Sequence, residues 1–278
     1  MRRNAIVIFL FVILFLLFSF YCQAEVIELV VEDSPYYIFK DLIIKEGQTF
    51  IIEPCVVINV AKNANMTIRG RIKASGYPRG GEVIFKAIGP HQNYHKGFWQ
   101  GIIIESNQEN IIEYTVIQHA KTGIEVRPGA CANIINNIIT QNKTGIITQQ
   151  ADKLSITRNS FLGNFSDIVL QETEGAVESN FFQGSLKAIT LKESYPDISN
   201  NYFKQLRNSA IESYNKHNFR LGENWWGSAD REEIKTLIIQ KGGGRIIFEP
   251  FLEKMPDLRK AGVDLKENPS KCKDGKCS

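Results

Sequence analysis

The 278-residue sequence is short of net charge, of histidine and of long apolar runs. Its formal charge is only +3 at pH 7, and no stripe of Lys and Arg is present, which argues against nucleic acid binding. Beyond the first 24 residues no apolar run is long enough to span a membrane. The four histidines and five cysteines show no spacing typical of a metal site, so we predict neither a metal nor a cofactor.

The N-terminal end has the pattern of a secretory signal. Arg2 and Arg3 precede an apolar run over residues 5–21, and Ala24 offers a small residue for cleavage. We expect cleavage after Ala24 and export to the periplasm, the cell surface or the medium. Because the removed segment carries two arginines and no acid, the net charge would fall from +3 to +1. An uncleaved membrane anchor and a lipoprotein modified at Cys22 remain the alternatives.

One short pattern recurs six times, at steps of 21 to 23 residues. Each copy starts with a Tyr or Asn, and a large apolar residue follows two positions later. The six positions are Tyr114, Asn137, Asn159, Asn180, Asn201 and Asn224. The period is shorter than the roughly 33–47 residues of helical repeats, and the consensus of leucine-rich repeats is missing. Because the segments between these positions alternate apolar and polar residues, we predict an all-β solenoid of parallel strands.

The five asparagines of this column are predicted to form a ladder. Asn tolerates the left-handed backbone that a corner between two strands requires. On stacked coils each amide can donate to the next asparagine and accept from the previous one, so these buried polar groups stay paired. The predicted ladder consists of Asn137, Asn159, Asn180, Asn201 and Asn224.

Several motifs resemble those of secreted right-handed parallel β-helix proteins of the pectate-lyase-like superfamily. They are Thr-Phe-Ile-Ile-Glu-Pro-Cys-Val-Val-Ile at 49–58, Phe-Trp-Gln-Gly-Ile at 98–102, the repeated coils, and Glu-Asn-Trp-Trp-Gly at 223–227. Cys55 departs from the pattern, which usually has Gly after Glu-Pro. The resemblance implies a right-handed solenoid of about eight or nine coils, with an N-terminal cap and a C-terminal cap of a helix plus a strand. It does not imply one activity, because this family includes enzymes, binding modules and surface proteins.

The chain is therefore divided into five segments. They are a signal peptide (1–24), an N-terminal cap or irregular first coil (25–46), the parallel β-helix (47–227), a C-terminal cap (228–252) and a polar tail (253–278). In the tail, Asp-Gly favours a two-residue hairpin that places Cys272 opposite Cys277, and we predict a disulfide between them. Cys55 and Cys131 lie several coils apart and are interpreted as buried free thiols.

Outward side chains of the third strand in each coil should form two columns. The first column is Glu105, Arg127, Gln149, Gln171, Lys192 and Tyr214, and the second is Ile103, Glu125, Ile147, Val169, Thr190 and Glu212. Enzymes of the resembled family that cleave acidic polysaccharides concentrate aspartates there, and neither column contains one. We therefore predict no catalytic residue and favour a protein that is not an enzyme. Glu125, Arg127, Lys192 and Tyr214 are candidate binding residues.

A further outward column, between each corner Asn and its inward anchor, ends in three aromatic residues. Phe181, Tyr202 and Trp225 lie on successive coils. An exposed strip of rings would suit a sugar or a protein partner. Packing beneath the C-terminal segment is the simpler explanation, and both remain open.

These patterns predict an exported protein with a non-catalytic binding or structural role. The expected partner is a polysaccharide or a protein of the cell envelope. A polysaccharide lyase, glycoside hydrolase or epimerase is one alternative. A periplasmic accessory protein that helps to mature another protein's metal site is a second alternative, and it rests on the resemblance alone.

Overall fold

The computed structural model of the protein describes residues 25–89 and 95–255. Within these ranges three long sheets of parallel strands run along one axis, and a two-strand sheet and short helices complete the structure. The prediction of an all-β parallel solenoid is confirmed. No helix in the described ranges is long and apolar enough to cross a membrane.

The first sheet contains eight strands of the described chain. They are β1 (Glu25–Leu29), β4 (Gln48–Ile52), β7 (Arg71–Ser75), β10 (Asn110–Glu113), β13 (Cys131–Ile135), β16 (Lys153–Thr157), β19 (Ala176–Glu178) and β22 (Asp197–Ser199). The second sheet is formed in the same way by β2 (Tyr36–Ile38), β5 (Val57–Val60), β8 (Val83–Ala87), β11 (Thr115–Gln118), β14 (Ile138–Thr140), β17 (Ser160–Leu162), β20 (Phe181–Gln183) and β23 (Tyr202–Lys204).

The third sheet is the longest. Its strands are β3 (Leu42–Ile44), β6 (Asn65–Ile68), β9 (Gly101–Ile104), β12 (Thr122–Val126), β15 (Thr144–Gln149), β18 (Ser166–Gln171), β21 (Lys187–Lys192), β24 (Ser209–Ser213) and β26 (Ile238–Gln240). A separate parallel pair joins β25 (Phe219–Arg220) to β27 (Ile246–Ile247). Helix α1 spans Arg231–Thr236, and a 3-10 turn spans Val31–Asp33.

Each coil contributes one strand to each long sheet, and the described residues make eight coils. Equivalent residues pair across successive coils, as in the column Ile124, Ile146, Ile168, Ile189 and Ile211. Residues 25–44 already form a coil of three strands, each paired in parallel with the next coil. Since neighbouring strands lie roughly 4.8 Å apart, the coils repeat at that spacing along the axis.

A stack of aromatic rings fills the core of the last coils. The ring centroids of Phe161, Phe182, Phe203 and Trp226 follow one another at 5.0, 5.1 and 5.1 Å. All four side chains are buried. Because each of these last coils places one ring at the same point, each neighbouring pair of rings adds roughly 0.5–1.5 kcal/mol to the stability beyond the burial of its area.

The asparagine column is fully buried beside this stack. Each Nδ2 donates to the Oδ1 of the next asparagine, at 3.0 Å from Asn137 to Asn159 and at 3.1 Å from Asn201 to Asn224. The links from Asn159 to Asn180 and from Asn180 to Asn201 are 3.0 and 3.1 Å long. Each Oδ1 also accepts the backbone N–H of the preceding ladder residue, as Asn159 does from Asn137 at 2.9 Å. The ladder therefore satisfies both main-chain and side-chain groups at this corner.

Two details of the sequence interpretation are wrong at this corner. The left-handed backbone belongs to the residue before four of the five ladder asparagines, for example Asn136 at φ 57° and Arg158 at φ 55°. Because the preceding residue makes the turn, the ladder asparagine itself points inward. In the first copy the register is off by one, because Thr115, not Tyr114, donates its backbone N–H to Asn137. Strand pairing then places Val116 beside Ile138 in the outward column.

The chain after Trp226 forms helix α1 and then one more strand, β26, which pairs with β24 of the last coil. Asp230 caps helix α1, and its carboxylate accepts the N–H groups of Glu232 and Glu233 at 2.8 and 3.0 Å. Ile238 follows the helix and starts β26, the last strand of the third sheet.

The cysteines correct one interpretation. Cys55 is disulfide-bonded, so the prediction of a free thiol is wrong at this position. Its backbone has φ 65°, in the left-handed region that explains the Gly of the resembled pattern. Cys131 is free, as predicted, but it is partly exposed. Cys272 and Cys277 lie outside the described residues, and their disulfide stays a prediction. Because Cys131 is free, that pairing would leave Cys22 as the partner of Cys55 and would require residues 1–24 to be retained.

Candidate functional site

The outer face of the third sheet carries four of the candidate binding residues. Its strands pair so that Arg127, Lys192 and Tyr214 fall in the first outward column and Glu125 falls in the second. The predicted columns are thus neighbours in the structure. The face has a charged network at each end and uncharged amides between them.

The network nearer the N-terminus joins two acids to two arginines. Arg127 contacts Glu105 and donates through Nε to Glu125 at 3.0 Å. Arg69 donates to the second oxygen of Glu105 at 2.9 Å. The hydrogen bond that Arg127 donates to Glu125, supported by the charge of Glu105, raises the pKa of Arg127. Both arginines are half exposed, so the pairs position these side chains more than they stabilise the fold.

The network nearer the C-terminus surrounds a buried acid. Glu212 is fully buried although it points to the outer face. Lys187 lies 2.5 Å from one carboxylate oxygen, and Lys241 contacts the other. Tyr214 donates its hydroxyl to the same carboxylate at 2.7 Å. Burial raises the pKa of Glu212, but the bonds from these groups outweigh it and lower the pKa to about 2.

Between the networks lies a row of polar side chains, the Gln–Lys strip, made of Gln149, Gln171 and Lys192. Successive members pair in register. Their side-chain polar groups form no hydrogen bond or salt bridge within the described part of the chain. Ile147 and Val169 lie beside the strip and are partly exposed. The surface therefore offers free amide and ammonium groups next to apolar carbon.

The aromatic column lies on another face and is not exposed. Phe181 and Tyr202 are 1% and 4% exposed, so the hypothesis of an exposed binding strip is wrong for both. Leu252, returning from the end of the described chain, packs against them together with Trp225. Trp225 keeps partial exposure. The column is explained by packing beneath the C-terminal segment.

Asp167 has the burial and the raised pKa of a functional group, and the sequence analysis did not identify it. It is fully buried, and its carboxylate accepts hydrogen bonds from Asn164 at 2.8 Å and Ser185 at 2.7 Å. Burial raises its pKa to about 7, and the two hydrogen bonds and the charge of Lys96 lower it only in part. The sequence contained one signal for Asp167, because the equivalent positions of neighbouring coils are Gly or Ala and an acid differs from both.

The chemistry open to the outer face follows from these surroundings. A general acid needs a proton near the working pH, and Glu212, with a pKa of about 2, has none there. Asp167 has a suitable pKa, but its buried carboxylate does not reach the surface. Within the described residues no group of three or more His, Cys, Asp or Glu side chains could hold a metal ion. The groups that the face presents to a ligand are hydrogen-bond donors and acceptors and a cation.

One comparison with known proteins places the fold. A family model described as right-handed β-helix region matches residues 92–234, which is more than half of the chain. No curated protein matches the sequence. The matched range includes the Gln–Lys strip and most of both charged networks.

Proposed function

The chain belongs to the right-handed β-helix family, and we propose that it is an exported member that binds a glycan without cleaving it. The proposed site is the outer face of the third sheet, with the Gln–Lys strip at its centre. Export is proposed from the sequence of residues 1–24, which has the charge and apolar run of a secretory signal. We also propose membership of the pectate-lyase-like superfamily, from the Glu-Asn-Trp-Trp-Gly motif at 223–227.

The observation that carries the proposal is the row of unpaired polar groups in the Gln–Lys strip. Sugars present hydroxyl groups around a ring with apolar C–H faces. Gln149 and Gln171 each offer a donor and an acceptor for hydroxyl groups. Ile147 and Val169 supply an apolar surface beside them, and Lys192 can bind an acidic substituent. The charged networks at both ends hold the flanking side chains in place, which lowers the entropy lost on binding.

The protonation states support binding over cleavage. Glycosidases use two carboxyl groups, one of which must carry a proton, on either side of the reacting bond. On this face Glu212 is held ionised by Lys187 and Lys241. The bond to Glu212 in turn raises the pKa of Lys241, which keeps this lysine protonated and unable to accept a proton near neutral pH.

The proposal is tested on a glycan array with the full-length protein and the variants Gln171→Ala and Lys192→Ala. We expect the wild type to bind at least one glycan, and each variant to lose about tenfold or more in affinity, because each removes a polar contact. Lys153→Ala is the matched control, since Lys153 is also an exposed strand lysine but lies on the first sheet.

Two results would overturn the proposal. Equal affinity of Lys192→Ala and Lys153→Ala for every bound glycan would remove the outer face as the site. Shortened, unsaturated or epimerised products after incubation with the bound glycan would show an enzyme.

A further inference from the structure

The corner between the second and third sheets is strongly basic. In five successive coils it is formed by residues 118–124, 140–146, 162–168, 183–189 and 204–210. Together these segments contain five Lys or Arg residues and one acid. That acid is Asp167, which is fully buried and does not face the solvent. Because Lys187 is paired with Glu212, unpaired positive charge is exposed on three of these five coils, at Lys121, at Lys143, and at Lys204 with Arg207.

Four cations, Lys96, Lys121, Lys143 and Arg207, form what we term the corner strip. Lys121 and Lys143 occupy equivalent positions, since the residues that follow them pair in register. Among the described residues, none of the four has a carboxylate within salt-bridge distance. In contrast, the cations Arg127 and Lys187 on the adjoining sheet face are paired with acids.

Neutral backbone groups hold two of these cations in place. Lys96 donates through Nζ to the carbonyl of Gly163, and Arg207 donates through Nε to the carbonyl of Gly184 at 2.9 Å. Burial lowers the pKa of Lys96, and the nearby charge of Arg207 lowers it further. The charge of the buried Asp167 offsets these effects only in part, so the two like charges remain unfavourable neighbours until an anion binds at the surface.

We infer that the corner strip binds the sulfate or carboxylate groups of an acidic polysaccharide. Its cations follow the axis at steps of roughly 4.8 Å or multiples of it, which suits a polymer with regularly repeated anions. Phe165, 56% exposed on the coil after Lys143, adds an apolar face for a sugar ring. One isolated aromatic side chain gives little to insert into a membrane, so the glycan is favoured over a lipid surface. The inference rests on the proposed function, because it adds an acidic character to the same class of ligand.

The test measures the affinity of the full-length protein for dextran sulfate, polygalacturonate and neutral dextran at 0.15 M salt. The variant is the double substitution Lys121→Gln with Lys143→Gln. Its control, Lys73→Gln with Lys153→Gln, removes the same charge from exposed positions on the first sheet. We expect an acidic polymer to bind the wild type and the corner variant to lose about tenfold in affinity, since two surface ion pairs are removed. The control should lose about twofold or less.

The other outcomes separate this inference from the proposed function. Equal losses in both double variants would show a response to net charge only and would overturn the inference. If Lys192→Ala weakens binding and the corner variant does not, the inference fails while the proposed function stands. Affinity for vesicles containing phosphatidylglycerol is measured in parallel, and binding to these vesicles alone would replace the glycan by a lipid. No binding to any acidic polymer would also overturn the inference.

Discussion

Asp167 accepts a hydrogen bond of 2.7 Å from the Ser185 hydroxyl, and both residues are fully buried. Its other carboxylate oxygen has no hydrogen-bond partner among the residues that the structure describes. A buried carboxylate with one unpaired oxygen is costly when ionised. This explains why burial raises the pKa of Asp167 from 3.8 to about 7.

The first prediction concerns pH and Asp167→Asn. Because the folded pKa lies above the unfolded value, the unfolded state loses its proton first, and stability declines as pH rises from about 4 to about 7. The variant cannot ionise, so it should lack this decline and be more stable than the wild type at pH 8 by a few kcal/mol, on the order of the linkage energy. The free energy of unfolding is measured in urea at several pH values.

Asp152→Asn is the control for this experiment, because Asp152 is exposed. It should keep the pH profile of the wild type. Parallel profiles for the wild type and Asp167→Asn would contradict the account of the buried carboxylate.

The second prediction concerns the asparagine ladder. In Asn180→Ala the backbone N–H and side chain of Asn159 lose their acceptor, and the carbonyl of Ile156 loses a donor. Leaving these buried groups unpaired should lower the free energy of unfolding by about 3 kcal/mol or more. Asn208→Ala, at an exposed position, should change it by about 0.5 kcal/mol or less. Similar urea midpoints for the two variants would argue against the ladder.

The third prediction concerns the aromatic core. Phe182 lies between Phe161 and Phe203, with centroid distances of 5.0 and 5.1 Å. Phe182→Ala leaves a cavity in the middle of the stack and should cost about 3–5 kcal/mol in thermal or urea unfolding. Phe165→Ala removes the same atoms from a side chain that is 56% exposed, and its effect should be much smaller. A loss below about 1 kcal/mol for Phe182→Ala would contradict the described packing.

The fourth prediction concerns Glu212→Gln. The folded pKa of Glu212, about 2, lies below the ordinary value of 4.5, so its ion pairs stabilise the fold above about pH 4.5, and this is lost as pH falls toward 2. The variant should be less stable than the wild type by about 3 kcal/mol at pH 7, and the difference should shrink at pH 3. The control is Glu249→Gln, whose partner Arg231 is half exposed, and we expect little or no change in stability from it. A difference that stays constant between pH 7 and pH 3 would contradict the assigned ion pairs.

Sequence periodicity was sufficient for the parts of the fold that depend on register. The column of asparagines and the two outward columns of the third sheet follow directly from steps of 21 to 23 residues, and strand pairing reproduces them. The error at Tyr114 has a physical cause. The corner needs a left-handed residue and an inward polar residue in adjacent positions, and in the first copy of the pattern these are Tyr114 and Thr115, so that the inward residue is Thr and not Asn.

Burial by distant parts of the chain could not be predicted in this way. Phe181 and Tyr202 have outward positions in the repeat, and they are covered because Leu252 returns to that face. Glu212 also points outward and is covered in part by Lys241, which directly follows β26. The disulfide of Cys55 depends on long-range geometry that no local pattern shows.

The central claim is that the Gln–Lys strip contacts a glycan, and lysine footprinting tests it most directly. The full-length protein is acetylated with and without the glycan that binds most strongly on the array, and modification at each lysine is measured by mass spectrometry. Our account predicts that the bound glycan protects Lys192 severalfold, while Lys153 on the first sheet is modified at the same rate in both samples. Equal modification of Lys192 with and without the bound glycan would contradict it.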